Sequence, residues 1–370
     1  EVQPREPIVS RVQGSSGGAV VNDALSALPY ARQVEVARVA ARLPAKADFA
    51  ICVPAQDEQQ FLATSLAALL TAMAGCSEAG VIVLLINNST DGSWSLAHRF
   101  LSASGVGFLM ARVTLDPEIS DAPHARRLAL DIGAHLAPDG VLLTTDADTL
   151  VDPDWVSTTF THIRAGSDLV CGSVSIDPEE FRTLPWPVRR CGEVEAAYSA
   201  DLEKLWQQWT GGTAPGFQIP AMGASLALSV ARYRAVGGMP TPPVAEDKAL
   251  AKLARRHGWS IALASDVRVE TSGRLVARAA GGMGDALRAR ATDDDPFCDE
   301  QLVPLGLLRR LADVWNGLPD TADRSARFYD LVDCDPALQH GRMRLSEVSA
   351  ELEMSQGNRE LETLFSGAGV

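Results

Sequence analysis

Residues 141–148 read VLLTTDAD, an aliphatic run that ends in two aspartates one residue apart. The run predicts a buried β-strand, so Asp146 and Asp148 stand at its carboxyl end. Two carboxylates in one turn are hard oxygen ligands for Mg²⁺ or Mn²⁺, and a diphosphate can complete the coordination sphere. The alternative is an acidic surface turn, since Asp-x-Asp sequences are common in exposed loops. The position after a buried strand favours the metal site.

Similar apolar runs precede this strand along the chain. The runs at residues 49–53, 81–86 and 106–113 alternate with helical stretches, the last of which has Pro123 near its first turn. This β-α-β-α order predicts an α/β fold, doubly wound, with a mainly parallel sheet flanked by helices. In such sheets ligands bind at the carboxyl ends of the strands. Polar clusters that follow these strands are therefore candidate site residues.

Composition changes along the chain predict three parts. Residues 1–48 form an N-terminal extension, in which a weak helical pattern over 22–43 predicts a packing helix. Residues 49–282 form the α/β domain. Residues 283–370 are acidic and loop-broken, and they predict a helical C-terminal segment without motifs of its own.

Charge and hydropathy exclude several classes of partner. The formal net charge of −14 disfavours nucleic acid and anionic lipid as general partners, because the overall field repels both. The longest aliphatic run, residues 81–86, falls short of the roughly 20 residues that span a bilayer, so no membrane span is expected. The first residues lack a secretory-signal pattern, and the six cysteines are scattered without metal-ligand spacing. Reduced thiols in the cytoplasm are the expectation.

Two further polar clusters follow predicted strands. After the first strand, Pro54 leads into Asp57 and Glu58, whose carboxylates suit ribose hydroxyls or a base N–H. After the second, Asn88 and Asp91 lie in the turn NNSTDGS and can recognise a nucleoside. Each cluster has a plain alternative, since Asp and Glu cap helices and Asn and Asp form turns. Both interpretations stay open for each residue.

Basic residues are few near these acids. Arg126 and Arg127 open the helix after Pro123, where an arginine can reach a phosphate, although a solvated helix face explains one of the two equally well. His124 has no partner at ligand-like spacing and is interpreted as structural.

A second acidic pair, Glu246 and Asp247, opens a later helix. The helix dipole favours acids in a first turn, which explains one of them without any chemistry. Alternatively, a carboxylate fixed at a helix start can take the proton of an attacking hydroxyl. Between the two acidic sites, Trp206 and Trp209 precede a glycine-rich loop and suit the apolar face of a sugar, or they belong to a core.

Six motifs in this order resemble those of family 2 glycosyltransferases with the GT-A fold, over about residues 49–275. They are VPAQDE, INNSTDGS, ARRLALDIG, LLTTDADT, GASLALSVARYRAVGG and AEDKALAKLARRHGW. The resemblance implies a UDP- or GDP-sugar as donor, a divalent cation, Mg²⁺ or Mn²⁺, as cofactor, and an unidentified hydroxyl acceptor. It also implies an inverting single displacement, and it leaves a homo-oligomer possible.

The resemblance assigns roles to matching positions. The implied donor-binding residues are Pro54, Asp57, Glu58, Asn88, Asp91, Arg126, Asp146, Ala147 and Asp148. Asp146 and Asp148 would hold the metal, and Asp247, beside Glu246, would be the catalytic base. The acceptor side would consist of Gly223 and Ala224, with Trp206 and Trp209.

Two departures from the family pattern leave matters open. Asn87 and Asn88 replace paired aspartates, so the resemblance does not decide between UDP and GDP, and the stretch VETSGR over 269–274 lacks the histidine of many relatives. Arg274 or Arg278 can bind phosphate there instead. The alternatives are a retaining transferase on the same fold and a catalytically silent nucleotide-sugar-binding or scaffold protein. A nucleotidyltransferase is disfavoured, because no glycine-rich basic loop follows the first strand.

Overall fold

The computed structural model describes residues 16–26, 28–217, 221–275 and 282–366, with side chains described as far as residue 357. Within these ranges the chain is an α/β protein built on one nine-stranded sheet. Its strands are β1 (Val34–Arg42), β2 (Phe49–Ala55), β3 (Gly80–Asn87), β4 (Gly107–Leu115), β5 (Val141–Thr144), β6 (Thr149–Val151), β7 (Leu169–Ile176), β8 (Leu226–Ser229) and β9 (Ile261–Thr271).

The strand order is β1-β4-β3-β2-β5-β8-β7-β9-β6. Strands β4, β3, β2 and β5 are mutually parallel neighbours, and β7 and β9 run the same way, so six of the nine described strands share one direction. The central strands are buried at almost every position because helices cover both faces. The predicted doubly wound, mainly parallel sheet is confirmed.

The helices of the described residues flank this sheet or extend it. They are α1 (Ser16–Ser26), α2 (Leu62–Ala74), α3 (Ser93–Ser104), α4 (Ala122–Leu136), α5 (Trp155–Arg164), α6 (Pro178–Thr183), α7 (Trp186–Trp209), α8 (Val230–Ala235), α9 (Glu246–Arg256), α10 (Met283–Thr292), α11 (Leu305–Gly317), α12 (Arg324–Cys334) and α13 (Leu345–Ser366). No helix in this described part is both long and apolar enough for a membrane crossing.

The N-terminal part corrects one prediction. A helix was expected over residues 22–43, but the helical parts of the described residues there are the end of α1 and one short 3-10 turn, Ala31–Gln33, and β1 joins the sheet antiparallel to β4, with Val36 opposite Val113. The first residues of β1, VEVA, alternate between buried and exposed positions, which is the two-residue period of a half-buried strand. This two-residue period is the sequence feature that distinguishes the strand from a helix.

Apolar side chains form three main clusters. One cluster fills the face of the sheet under α1, α4, α8 and α9, and a second fills the opposite face under α2, α3 and α5. A third joins α7 to α11, α12 and α13, so the helical C-terminal segment packs on a long helix of the α/β part. The predicted helical character of this segment is confirmed.

Candidate active site

The candidate site lies where the carboxyl ends of β2 and β5 meet the start of α9. At its centre is the guanidinium of Arg126, which is 5% exposed. Its Nε donates to Oε1 of Glu246 at 2.8 Å, and its Nη2 donates to Oδ1 of Asp146 at 2.7 Å. Its Nη1 donates to Oγ1 of Thr144 at 2.8 Å and to the carbonyl of Gly223 at 2.9 Å. One side chain thus joins both acidic motifs.

Opposing effects act on the charge of Arg126. Burial disfavours the cation, but Asp146 and Glu246 lie against it and raise the pKa of Arg126 above its usual value. The arginine therefore stays charged, and its network is one of charge-assisted hydrogen bonds, which are stronger than neutral ones.

The start of α4 fixes Arg126 in place. Asp121 caps the helix by accepting a hydrogen bond from the amide of His124 at 2.9 Å, and Pro123 lies in the first turn. The ring of His124 binds the same carboxylate and packs edge-on against Tyr30. His124 is structural, as the sequence indicated.

The second aspartate after β5 has its own arginine. Asp148 Oδ2 lies 3.0 Å from Arg274, whose guanidinium also makes a two-pronged ion pair with Glu58. Burial and the nearby Asp146 raise the pKa of Asp148 to about 7, against the lowering effect of Arg274. Ala147, between the two aspartates, is buried in the sheet core.

The chemistry of this donor set fits a divalent cation. The arginines bind one oxygen of each aspartate, Oδ1 of Asp146 and Oδ2 of Asp148. The second oxygen of each carboxylate is a hard ligand of the kind that Mg²⁺ and Mn²⁺ take, one or two carboxylates being typical when substrate phosphates supply the rest. The two residues singled out as metal ligands thus fit that role.

Asp247 is held at the opposite side of the Arg126 network. Its Oδ2 accepts from the amide of Gly223 at 2.8 Å, and its Oδ1 accepts from the amide of Lys248 at 2.7 Å. The preceding Ala245 has a φ of 60°, a left-handed conformation that is unusual for a residue with a side chain. Burial, and then the charge of Glu246, raise the pKa of Asp247. The carboxylate is fixed and is a stronger base than an exposed aspartate.

Gly223 connects the two sides, since its carbonyl binds Arg126 and its amide binds Asp247. A Cβ at this position would lie 2.5 Å from Cζ of Arg126, closer than side chains tolerate. The neighbouring Ala224 is buried in the sheet core, so its methyl group packs rather than lines an open surface. Position 223 therefore requires glycine, because the guanidinium of Arg126 lies against its backbone.

We expect Gly223→Ala to displace Arg126 and to lower both stability, by about 1–3 kcal/mol, and donor turnover. Thermal denaturation and nucleotide-sugar hydrolysis measure the two effects. Gly306→Ala is the matched control, because a Cβ on that glycine of α11 meets no atom within 4 Å and favours the helix. Equal behaviour of the two variants would contradict this role of Gly223.

The loops after β2 and β3 are fastened to each other. Asp57, with a φ of 52°, accepts hydrogen bonds from the amides of Thr90 at 2.7 Å and Asp91 at 3.2 Å. In return, Oδ2 of Asp91 accepts from the amide of Gln59 at 3.0 Å. The predicted nucleoside residues Asp57 and Asp91 thus have a bracing role in the structure. Their contact with a nucleoside stays a prediction.

Two other predicted donor residues lie beside these loops. Asn88, with a φ of 47°, binds the backbone of Leu115 through both ends of its amide, at 2.8 and 3.0 Å. This bracket ties the turn after β3 to the end of β4 and favours a structural role. Pro54 is half-buried near the end of β2. Donor contacts of both residues stay predictions.

The tryptophans lie away from the two acidic motifs, in the third apolar cluster. Trp206 is 2% exposed, packs against Phe217 and Phe328, and donates from Nε1 to the carbonyl of Pro215. Trp209 packs on the same cluster, with the guanidinium of Arg309 over its ring. The acceptor-side prediction for Trp206 is therefore corrected to the core role that the sequence left as the alternative.

Sequence reasoning missed two partners of the central arginine. Thr144 and the carbonyl of Gly223 both bind Arg126, although the former stood in the quoted stretch VLLTTDAD. A hydroxyl at the end of an otherwise aliphatic strand was the available signal. The backbone carbonyl of Gly223 gave no such signal, because every residue has a carbonyl.

Comparisons with known proteins place the chain in context. The model of the family described as Glycosyl transferase family 2 matches residues 50–219, and no curated protein matches the chain. One similar solved structure is the mannosyltransferase PcManGT from Pyrobaculum calidifontis in complex with GDP-Man and Mn²⁺, with 15% identity, 95% of this chain and 87% of that chain covered, and a TM-score of 0.46.

Two further solved structures are more distant. TarS 1–349 of S. aureus has 12% identity and a TM-score of 0.40, with 66% of this chain and 70% of that chain covered. Glucosyl-3-phosphoglycerate synthase from Mycobacterium tuberculosis, in complex with Mg²⁺ and UDP, has 15% identity and a TM-score of 0.38, with 73% and 81% covered. Such distant likenesses transfer neither a ligand nor an activity to this chain.

The family match begins in β2 and ends beyond α7, so it includes the acidic pair after β5 and the braced loops after β2 and β3. Glu246 and Asp247 follow the matched segment, and Arg126 ties them to it through Asp146. The chain therefore matches the model of glycosyl transferase family 2 over residues 50–219, within an α/β fold whose sheet is mainly parallel.

Proposed function

We propose that the protein transfers a sugar from a nucleotide diphosphate-sugar, UDP- or GDP-linked, to an acceptor hydroxyl by an inverting, metal-dependent single displacement. One observation carries this proposal. Arg126 bonds to Asp146 at the carboxyl end of β5 and to Glu246 at the start of α9, so one network joins the acids that this proposal assigns to the donor with the helix start that carries Asp247.

The donor half consists of residues that suit a diphosphate. Asp146 and Asp148 would hold Mg²⁺ or Mn²⁺, which when bound supplies Lewis-acid neutralisation of the departing nucleoside diphosphate. The braced loops that carry Asp57 and Asp91 form a preorganised floor for the nucleoside, because their hydrogen bonds fix both backbones. Together these residues would orient the sugar-phosphate bond toward α9.

The acceptor half depends on Asp247. Two backbone amides orient its carboxylate, and its raised pKa brings it closer to the working pH of a general base. Asp247 would take the proton of the acceptor hydroxyl as the oxygen attacks the anomeric carbon opposite the leaving phosphate. Attack from that face inverts the anomeric configuration.

The experiment is a thermal-shift panel of UDP, GDP, CDP and dTDP, each with Mn²⁺ or with EDTA. One nucleotide should stabilise the protein with Mn²⁺ only, by about 2.7 kcal/mol at a hundredfold excess over its Kd. Asp148→Ala should remove this effect. Asp139→Ala should keep the nucleotide-induced stabilisation. Asp139 is exposed just before β5 begins, at the end of that strand opposite to Asp148. Absence of any shift in the wild type would refute the donor site.

A further inference from the structure

The turn after β9 presents an arginine to the donor site from a fixed backbone. Glu180 of α6 accepts hydrogen bonds from the amide of Gly273 and the hydroxyl of Ser272. On the other side, Ile176 packs so closely that a Cβ on Gly273 would lie only 2.7 Å from its Cγ2. The turn that precedes Arg274 is therefore held on two sides, and the position of Arg274 is built into the fold.

The guanidinium of Arg274 lies among three groups. It pairs with both oxygens of Glu58, contacts Oδ2 of Asp148 at 3.0 Å, and lies 5.1 Å from the centre of the Phe61 ring. The acid partners are well buried, with side chains 7% and 13% exposed, whereas the Arg274 side chain is 21% exposed. The cation thus covers the acids from the solvent side.

The two arginines that contact Asp146 and Asp148 differ in their exposure and in the number of groups that hold them. Arg126 is 5% exposed and makes four hydrogen bonds to Thr144, Asp146, Gly223 and Glu246, so its release would break the network. Arg274 is partly exposed and shares its charge between two acids. Of these two cations, Arg274 is the one that can change partner without disturbing the connection to α9.

We propose that Arg274 guards the metal site, pairing with Asp148 while the donor is absent and moving to the donor's diphosphate when it binds, so that metal and nucleotide bind cooperatively. This inference rests on the proposed function, because it takes the donor to be a nucleoside diphosphate-sugar. It assigns Arg274 two roles in sequence, as a competitor of the metal and then as a phosphate ligand.

Electrostatics requires the two roles to be coupled. A guanidinium that occupies Oδ2 of Asp148 lowers the affinity of that carboxylate for a second cation, because like charges repel at short range. A diphosphate offers Arg274 the planar, two-pronged pairing that arginine favours with phosphate. Once the arginine has moved, the Asp148 carboxylate would be available to a divalent cation. By linkage, metal and nucleotide then raise each other's affinity by the same factor.

The test measures Mn²⁺ affinity by calorimetry, without nucleotide and then with saturating UDP or GDP. Arg274→Gln should bind Mn²⁺ several-fold more tightly than the wild type when nucleotide is absent. In the presence of Mn²⁺ it should bind the nucleotide about tenfold or more weakly, since it loses charged hydrogen bonds. The coupling factor between the two ligands should fall toward one. Arg268→Gln is the control, because Arg268 lies on the same β9 and makes an exposed ion pair with Asp152.

The outcomes separate this inference from the proposed function. If nucleotide-free Arg274→Gln bound Mn²⁺ no more tightly than Arg268→Gln, the proposal that Arg274 competes with the metal for Asp148 would be wrong. If the wild type binds none of the nucleotides, the proposed donor fails, while the Mn²⁺ arm still decides whether Arg274 competes for Asp148. Should Arg274→Gln fold poorly because Glu58 loses its partner, the double variant Glu58→Gln/Arg274→Gln removes that buried charge. It should bind Mn²⁺ more tightly than Glu58→Gln alone.

Discussion

Asp247→Asn should lower the hydrolysis of the donor sugar by about 10²–10⁴-fold while leaving the fold intact, because the amide keeps the shape of the carboxylate but cannot take a proton. Water stands in for the unidentified acceptor, and released nucleoside diphosphate is the measured product. The variant keeps a carbonyl oxygen for one of the two backbone amides that hold the side chain, those of Gly223 and Lys248. Thermal denaturation should therefore show a small change.

Lys248→Met is the matched control for this prediction. Lys248 follows Asp247 in the first turn of α9, and its ammonium pairs with Asp299 and Glu300. We expect this variant to hydrolyse the donor within a few-fold of the wild-type rate. Full activity of correctly folded Asp247→Asn would rule out Asp247 as the base.

Arg126→Met should have the largest effect on stability, about 3–5 kcal/mol, because it leaves the buried Glu246 and the partly exposed Asp146 without their shared cation. It should also abolish measurable donor hydrolysis, since the two halves of the site lose their shared anchor. Denaturant unfolding measures the first effect and release of nucleoside diphosphate the second. Arg126→Lys should rescue neither fully, because an ammonium cannot reproduce a guanidinium that bonds to four groups.

Arg127→Met separates packing from function at the next position of α4. Arg127 donates to the carbonyls of Gly237 and Met239, and it pairs with Asp131 in the same helix. Its loss should lower stability and yet preserve the hydrolysis rate per folded molecule. If Arg126→Met kept wild-type hydrolysis, the central role of this network would be wrong.

The fold was largely predictable because its central strands are hydrophobic and are bounded by polar turns. The run predicted at residues 49–53 is β2 over Phe49–Ala55, and the run at 81–86 is β3 over Gly80–Asn87. Parallel strands buried on both faces leave this continuous signal in the sequence. The edge strand β1 was missed, because it is buried on one face only and its alternation with charged residues was interpreted as a weak helix.

The candidate site residues could be located in the sequence, whereas their partners could not. Acids after β5 and at the start of α9 stood in recognisable motifs, but Arg126 lies 120 residues from Glu246, and Arg274 lies 216 residues from Glu58. Pairings over such separations depend on tertiary packing, which local patterns do not encode. For the same reason the sequence could not tell that Trp206 packs against Phe328 rather than facing an acceptor.

The central claim is that one site has a donor half at Asp146 and Asp148 and a separate base at Asp247. Calorimetric titration of Asp247→Asn and Asp148→Ala with the intact donor sugar and Mn²⁺ tests it most directly. We predict that Asp247→Asn binds the donor as tightly as the wild type binds the nucleoside diphosphate, without turnover, and that Asp148→Ala does not bind it. Equal binding by both variants, or its loss in Asp247→Asn alone, would contradict the account.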